Sequence, residues 1–160
     1  NTGTITGATF GLTLTGAGNG SIASVIGTTS GSLTKSGTGT WTLSNANTYS
    51  GGTTINNGTV IAGNSNALGS AAVTINTGSS LKLNNGITLG NALTLNGTSS
   101  AAGSNGLLDR NGTGTATASG VITLAGDSVI GAGTNATLVL SNIINGISSG
   151  GQSLVLQGAG

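Results

Sequence analysis

Apolar residues two positions apart recur along the whole of this chain. Leu12 and Leu14, Trp41 and Leu43, Val73 and Ile75, and Leu81 and Leu83 are such pairs, as are Ile87 and Leu89, Leu93 and Leu95, Ile122 and Leu124, Leu138 and Leu140, and Leu154 and Leu156. A period of two puts both members of a pair on one face of an extended strand. Gly-Gly, Asn-Gly and Ser-Gly dipeptides interrupt these runs after a few residues and mark turns. No stretch sustains a 3.6 period. With 32 glycines in 160 residues, helix would be penalised by about 1 kcal/mol at each of them. The chain is therefore all-β.

Equivalent runs return after about twenty residues: Leu12 to Leu33, Leu33 to Ile55, Ile55 to Ile75, Val73 to Leu93. That period predicts a right-handed parallel β-helix with three short strands per coil. At about 4.8 Å per coil the whole chain makes roughly seven to eight coils, a rod of roughly 35 Å. Residues 1–160 are read as a single solenoid segment, a slice of a longer repeat array. SLVLQGAG at 153–160 resembles SLTKSGTG at 32–39, and LVLSNIINGI from Leu138 parallels LTLTGAGNGSI from Leu12. Neither end carries the polar cap that an isolated solenoid needs.

Composition fits that architecture. Only 3% of residues are charged, where a globular domain has about a quarter, and stacked like charges would repel. Proline, which would delete a ladder donor, is absent. Asn at turns can form side-chain ladders from coil to coil, and Gly supplies the positive φ of tight corners. A mean hydropathy of +0.26 separates the chain from disordered polar segments.

The same composition narrows function. A net charge of +1 gives neither nucleic acid nor an anionic membrane an electrostatic hold. No apolar run approaches the roughly 18 residues of a membrane span, and residues 1–30 lack a secretory signal, which for an exported protein would lie outside this chain. Without cysteine or histidine there is no disulfide, thiol nucleophile or thiolate metal site. Polysaccharide-cleaving β-helices need several convergent carboxylates. Here the carboxylates are Asp109 and Asp127 and the cations Lys35, Lys82 and Arg110. Asp109 and Arg110, as neighbours in a strand, face opposite sides. No catalytic, cofactor-binding or metal-ligating residue is assigned, and the chain is read as non-enzymatic.

Bland roles are expected for the rest. Asp109 and Asp127 are read as solvated turn aspartates, Lys35 and Lys82 as solvent-facing residues that discourage lateral association, and Trp41 as core. The Asn-x-Ser/Thr sequons at Asn19, Asn57, Asn96, Asn111 and Asn135 follow from turn chemistry. An ice-binding threonine face is a lesser rival reading. The T-x-T pairs of TGTIT, GTGTWT and GTGTATA do not recur at one offset per coil. Leu43→Asp should collapse the local coils, while Lys82→Ala should change little.

Residues 33–70, LTKSGTGTWTLSNANTYSGGTTINNGTVIAGNSNALGS, are the most distinctive stretch. Lys35, Gly37, Gly39, Thr40, Leu43, Asn47, Thr48, Tyr49, Ser50, Gly51, Gly52, Thr53, Gly58 and Ala67 to Ser70 resemble the autotransporter-associated β-strand repeat, or passenger-associated transport repeat. Trp41 and Val60 stand where that family commonly has leucine. The resemblance implies a stalk or spacer segment of a secreted, adhesin-like passenger at a Gram-negative cell surface, folding coil by coil outside the outer membrane. Its partners would be neighbouring coils and a C-terminal outer-membrane β-barrel translocator beyond this chain, with no cofactor. Tyr49 would cover the apolar edge of a corner. The competing reading is a self-assembling extracellular solenoid filament, with like subunits stacked end to end.

Overall fold

The computed structural model describes residues 3–99, 106–145 and 151–158. Thr2 of the first T-x-T pair, and residues 146–147 and 159–160 of the matched end segments, lie outside them. Two seven-stranded sheets dominate. Sheet 1 comprises Leu12–Leu14, Leu33–Lys35, Thr53–Ile55, Val73–Asn76, Leu93–Asn96, Ile122–Leu124 and Ile144–Asn145. Sheet 2 comprises Gly20–Ile22, Thr40–Leu43, Gly58–Ala62, Ser79–Leu83, Leu108–Arg110, Ser128–Ala132 and Leu154–Gly158. A third wall has strands at both ends, Ile5–Thr6 with Ile26–Gly27, and Thr88–Leu89 with Gly114–Ala118 and Ala136–Leu140. Every strand pairing is parallel, and strands of sheets 1 and 2 alternate along the chain. The chain is thus a parallel β-solenoid.

The register stacks like on like. One inward column of sheet 1 runs Leu12, Leu33, Thr53, Val73, Leu93, Ile122, Ile144. In sheet 2 the columns run Gly20, Trp41, Val60, Leu81, Leu108, Ile130, Leu156 and Ile22, Leu43, Ala62, Leu83, Arg110, Ala132, Gly158. The apolar side chains of these columns from Leu12 to Ile130, with Ile144, form one continuous core, each fully buried Leu or Ile contributing about 1.5–3 kcal/mol. Trp41 is only half-buried, and its ring lies over Gly20, where a Cβ would come within 2.8 Å. That glycine is set by close approach.

Seven strands per sheet make about six turns. This count is of the described residues, and the interval between register partners varies along the chain. Leu93 pairs with Ile122, 29 positions on, and Leu81 with Leu108, 27 positions on, whereas Val73 pairs with Leu93 after 20. Hydrophobic spacing within each strand is kept while the sequence interval between paired strands varies.

Corners are stitched by polar side chains. Asn56, Asn76 and Asn96 form a ladder, the Asn76 amide donating to the Asn56 side-chain carbonyl (2.8 Å) and the Asn96 amide to that of Asn76 (3.2 Å). Asn47 spans three coils, accepting from the Ile26 N–H at 2.8 Å and donating to the Ala67 carbonyl at 2.6 Å. Tyr49 is wholly buried rather than covering an edge. Its hydroxyl shares a 2.6 Å hydrogen bond with Thr53 Oγ1, and Thr53 in turn donates to the Leu68 carbonyl. Burial outweighs that hydrogen bond and pushes the Tyr49 phenol up to about 12.

One outward column of sheet 2 departs from expectation. Lys82 pairs across the ladder with Asp109, with its Nζ 3.5 Å from Asp109 Oδ2. Asp109 is buried within a strand, not a solvated turn residue, and the Lys82 side chain is only 13% exposed. Outward-facing here is not solvent-facing.

In denaturant titration, Leu43→Ala should cost about 2–5 kcal/mol and Leu43→Asp should abolish cooperative folding. Lys82→Ala should no longer be neutral. It should cost about 1–3 kcal/mol by leaving a buried carboxylate short of a partner, and a loss as small as that of an exposed surface mutation would contradict the buried pair. Tyr49 is the sole tyrosine, so phenolate absorbance reports it directly. The midpoint should be near 12 in the folded protein and near 10 in denaturant. A phenol whose pKa is raised by folding stabilises fully below about pH 10 and loses that contribution as pH rises through 12. A folded midpoint near 10 would place Tyr49 in water.

Candidate functional site

Charge is so scarce that each ionisable side chain can be placed. Lys35 occupies an inward column of sheet 1, between Leu14 and Ile55, and is completely buried. This overturns its expected solvent-facing role. Its ammonium donates to the carbonyls of Gly37 (2.6 Å), Ser36 (3.1 Å) and Asn57 (3.1 Å), gathering two successive corners. Three bonds use all three donors, so none is left for a ligand. Desolvation lowers the Lys35 pKa. Gly58 (φ +70°) closes the same corner, where a Cβ would stand 2.9 Å from Nζ. Sequence alone could not show this, because a lysine in a strand next to a polar turn looks exposed.

Arg110 is the second interior cation. As expected it faces away from Asp109, and it lies in the bore between Leu83 and Ala132. Among the described residues its three guanidinium nitrogens, all buried, meet no hydrogen-bond partner. Desolvation lowers its pKa and the Asp109 charge opposes that shift. The Asp109 carboxylate also accepts the Arg110 backbone N–H at 2.7 Å. Lys82 and Asp109 are thus brought together as an ion pair across two coils, while the Arg110 side chain lies on the opposite face of the strand.

Asp127 does lie exposed in a turn. It accepts the Ser153 N–H at 2.7 Å, and hydrogen bonding from Ser153 lowers its pKa. Among the described residues no group of three His, Cys, Asp or Glu side chains could hold a metal ion. The sequons sit in turn chemistry. Asn19 accepts the Thr40 N–H, Asn57 the Gly58 N–H, Asn96 and Asn111 belong to ladders, and Asn135 adopts φ +57°.

The most regular surface is the outer face of sheet 1. Thr13, Thr34, Thr54, Thr74, Thr94 and Thr123 are register partners in unbroken succession. This overturns the ground on which a threonine array ranked as a lesser rival. The T-x-T pairs are indeed scattered, but a threonine takes the outward position in six of the seven sheet 1 strands, with Asn145 in the seventh. The signal was present in LTL, LTK, TTI, VTI, LTL and ITL, once strand centres rather than pairs are aligned. On one side of the column stand Ser32, Gly52, Ala72, Ala92 and Val121. On the other is the Asn56–Asn76–Asn96 ladder. Nothing on this face is charged or aromatic.

No curated protein and no solved structure matches this chain. A family model does match, over residues 33–62, and it is that of the passenger-associated-transport-repeat. The matched stretch folds as two strands of each long sheet, Leu33–Lys35 and Thr53–Ile55 with Thr40–Leu43 and Gly58–Ala62. Its distinctive residues are the corner fittings described above: the carbonyl-gathering Lys35, the Gly58 it requires, the three-coil stitch of Asn47 and the buried Tyr49–Thr53 pair. Residues 33–62 thus match the passenger-associated-transport-repeat and lie within a parallel β-solenoid.

Proposed function

We propose that this chain is a structural stalk or spacer segment of a secreted bacterial passenger, borne at the cell surface and folded coil by coil after export. The observation that carries the reading is the coincidence of repeat and architecture. The residues that define the repeat are spent on corners and bore, not on a reactive cleft. Each coil finds both its backbone partners and its apolar column on the coil before it, so folding can advance by accretion from one end. The coil is right-handed in this reading, the hand that nearly all parallel crossover connections take. Catalysis has no place in it.

One observation favours a second reading, end-to-end assembly. Val155 and Leu156 are 51% and 67% exposed at the last described turn, and Phe10 is 76% exposed near the first. Ile130, Leu138, Leu140 and Leu156 line an open depression of about 220 Å³ there. Another solenoid coil, of the same chain or of a like subunit, would cover it.

For the stalk, the test is display. Joined to an export signal and an outer-membrane translocator, the wild-type segment should become protease-accessible on intact cells, and Leu43→Asp should reduce that display several-fold. Equal display of the two would contradict export coupled to coil formation. For the filament, sedimentation of the purified chain should show concentration-dependent elongation that Leu156→Glu removes. A wild-type chain that stays monomeric at all concentrations would exclude it.

A further inference from the structure

We propose that the outer face of sheet 1 binds ice. Three properties of the face select that partner. It is uncharged, so it offers nothing to a polyelectrolyte, a nucleic acid or an anionic membrane. It has no aromatic ring on which a sugar could stack. Of the chain's three aromatics, Tyr49 is buried, Trp41 belongs to sheet 2, and Phe10 lies outside the strands. And it is periodic. Six threonines stand in one register column, repeating at the inter-strand spacing of about 4.8 Å. The matching partner is a neutral, flat lattice whose own donors and acceptors repeat at a similar interval, as the water molecules of ice do.

The chemistry of threonine suits that lattice. Its hydroxyl both donates and accepts, as a lattice water does, while its methyl group sheds loosely held water. Branching at Cβ stiffens χ1, and a parallel ladder places each side chain above the last. A single such hydrogen bond nets only about 0.5–1.5 kcal/mol, so no one residue can hold a crystal surface. The contacts add only if spacing is kept on a rigid support, which the backbone ladder and the flanking Asn56–Asn76–Asn96 ladder provide. The small column from Ser32 to Ala92 keeps the threonines accessible from the other side. This role stands independently of the stalk reading, since a rod can serve either purpose or both.

The experiment is nanolitre osmometry and ice-crystal microscopy on the purified chain, alongside Thr74→Tyr, Thr54→Tyr and the control Thr117→Tyr. Thr117 faces outward on the third wall, beside Thr88 and Val139. The expected result is faceted ice crystals and thermal hysteresis for the wild type. Both effects should be lost in Thr74→Tyr and Thr54→Tyr and retained in Thr117→Tyr, with all four chains showing the same β-sheet circular dichroism and melting. A folded wild type that neither shapes ice nor shows hysteresis would overturn the proposal. So would equal loss in Thr117→Tyr, or retention of crystalline cellulose or chitin by this face without an effect on ice.

Discussion

Everything in this molecule follows from one interaction, the parallel backbone ladder that joins each coil to the next. Parallel neighbours require a long return path, and here that path is the rest of the coil. Once the ladder is in place, position i of one coil sits over its equivalent in the next. Side chains are then chosen by the column they enter rather than by their sequence neighbours. Leu33 stacks on Leu12, Ile75 on Ile55, Asn96 on Asn76 and Thr94 on Thr74. Identical residues in a column are stable when they are aliphatic, amide or hydroxyl and repel when charged. The near absence of charge is therefore a condition of the architecture rather than a clue to a ligand.

The few charges that remain show the same logic. Lys35 is tolerated inside because a corner offers three carbonyls to one ammonium. Asp109 is tolerated under cover because Lys82 and the Arg110 amide face it. Arg110 departs from the rule, since nothing among the described residues hydrogen-bonds its buried guanidinium. Solenoids of this kind place their specificity at corners, where the chain must turn at a prescribed residue, and leave their faces free to vary.

The period-two pairs gave the strands, the twenty-residue recurrence gave the stacking, and the polar turns gave the asparagine ladder, because each of these is local or periodic and so is written along the chain. The coil count was less legible, since a period taken from residues 12–95 does not register a longer interval such as that from Leu93 to Ile122. Burial of Lys35 and Lys82 was illegible because it depends on what a neighbouring coil brings to the corner. The threonine column was legible but misread. The T-x-T pairs are scattered along the chain, whereas the column position of each strand centre is the coordinate that aligns the threonines. The NTYSGGT motif was recognised as a repeat, yet only the folded corner shows that Tyr49 is an interior residue bonded to Thr53.

Whether stalk, filament unit or ice binder, the rod has one central claim, that successive coils lie parallel and in register. Inter-strand nuclear Overhauser contacts in an isotope-labelled sample test it most directly. The parallel stack predicts amide and α-proton contacts that step along the same column, from Thr34 to Thr54, Thr54 to Thr74 and Thr74 to Thr94. Contacts that instead run in opposite directions along paired strands, as in a hairpin or an antiparallel sandwich, would contradict it.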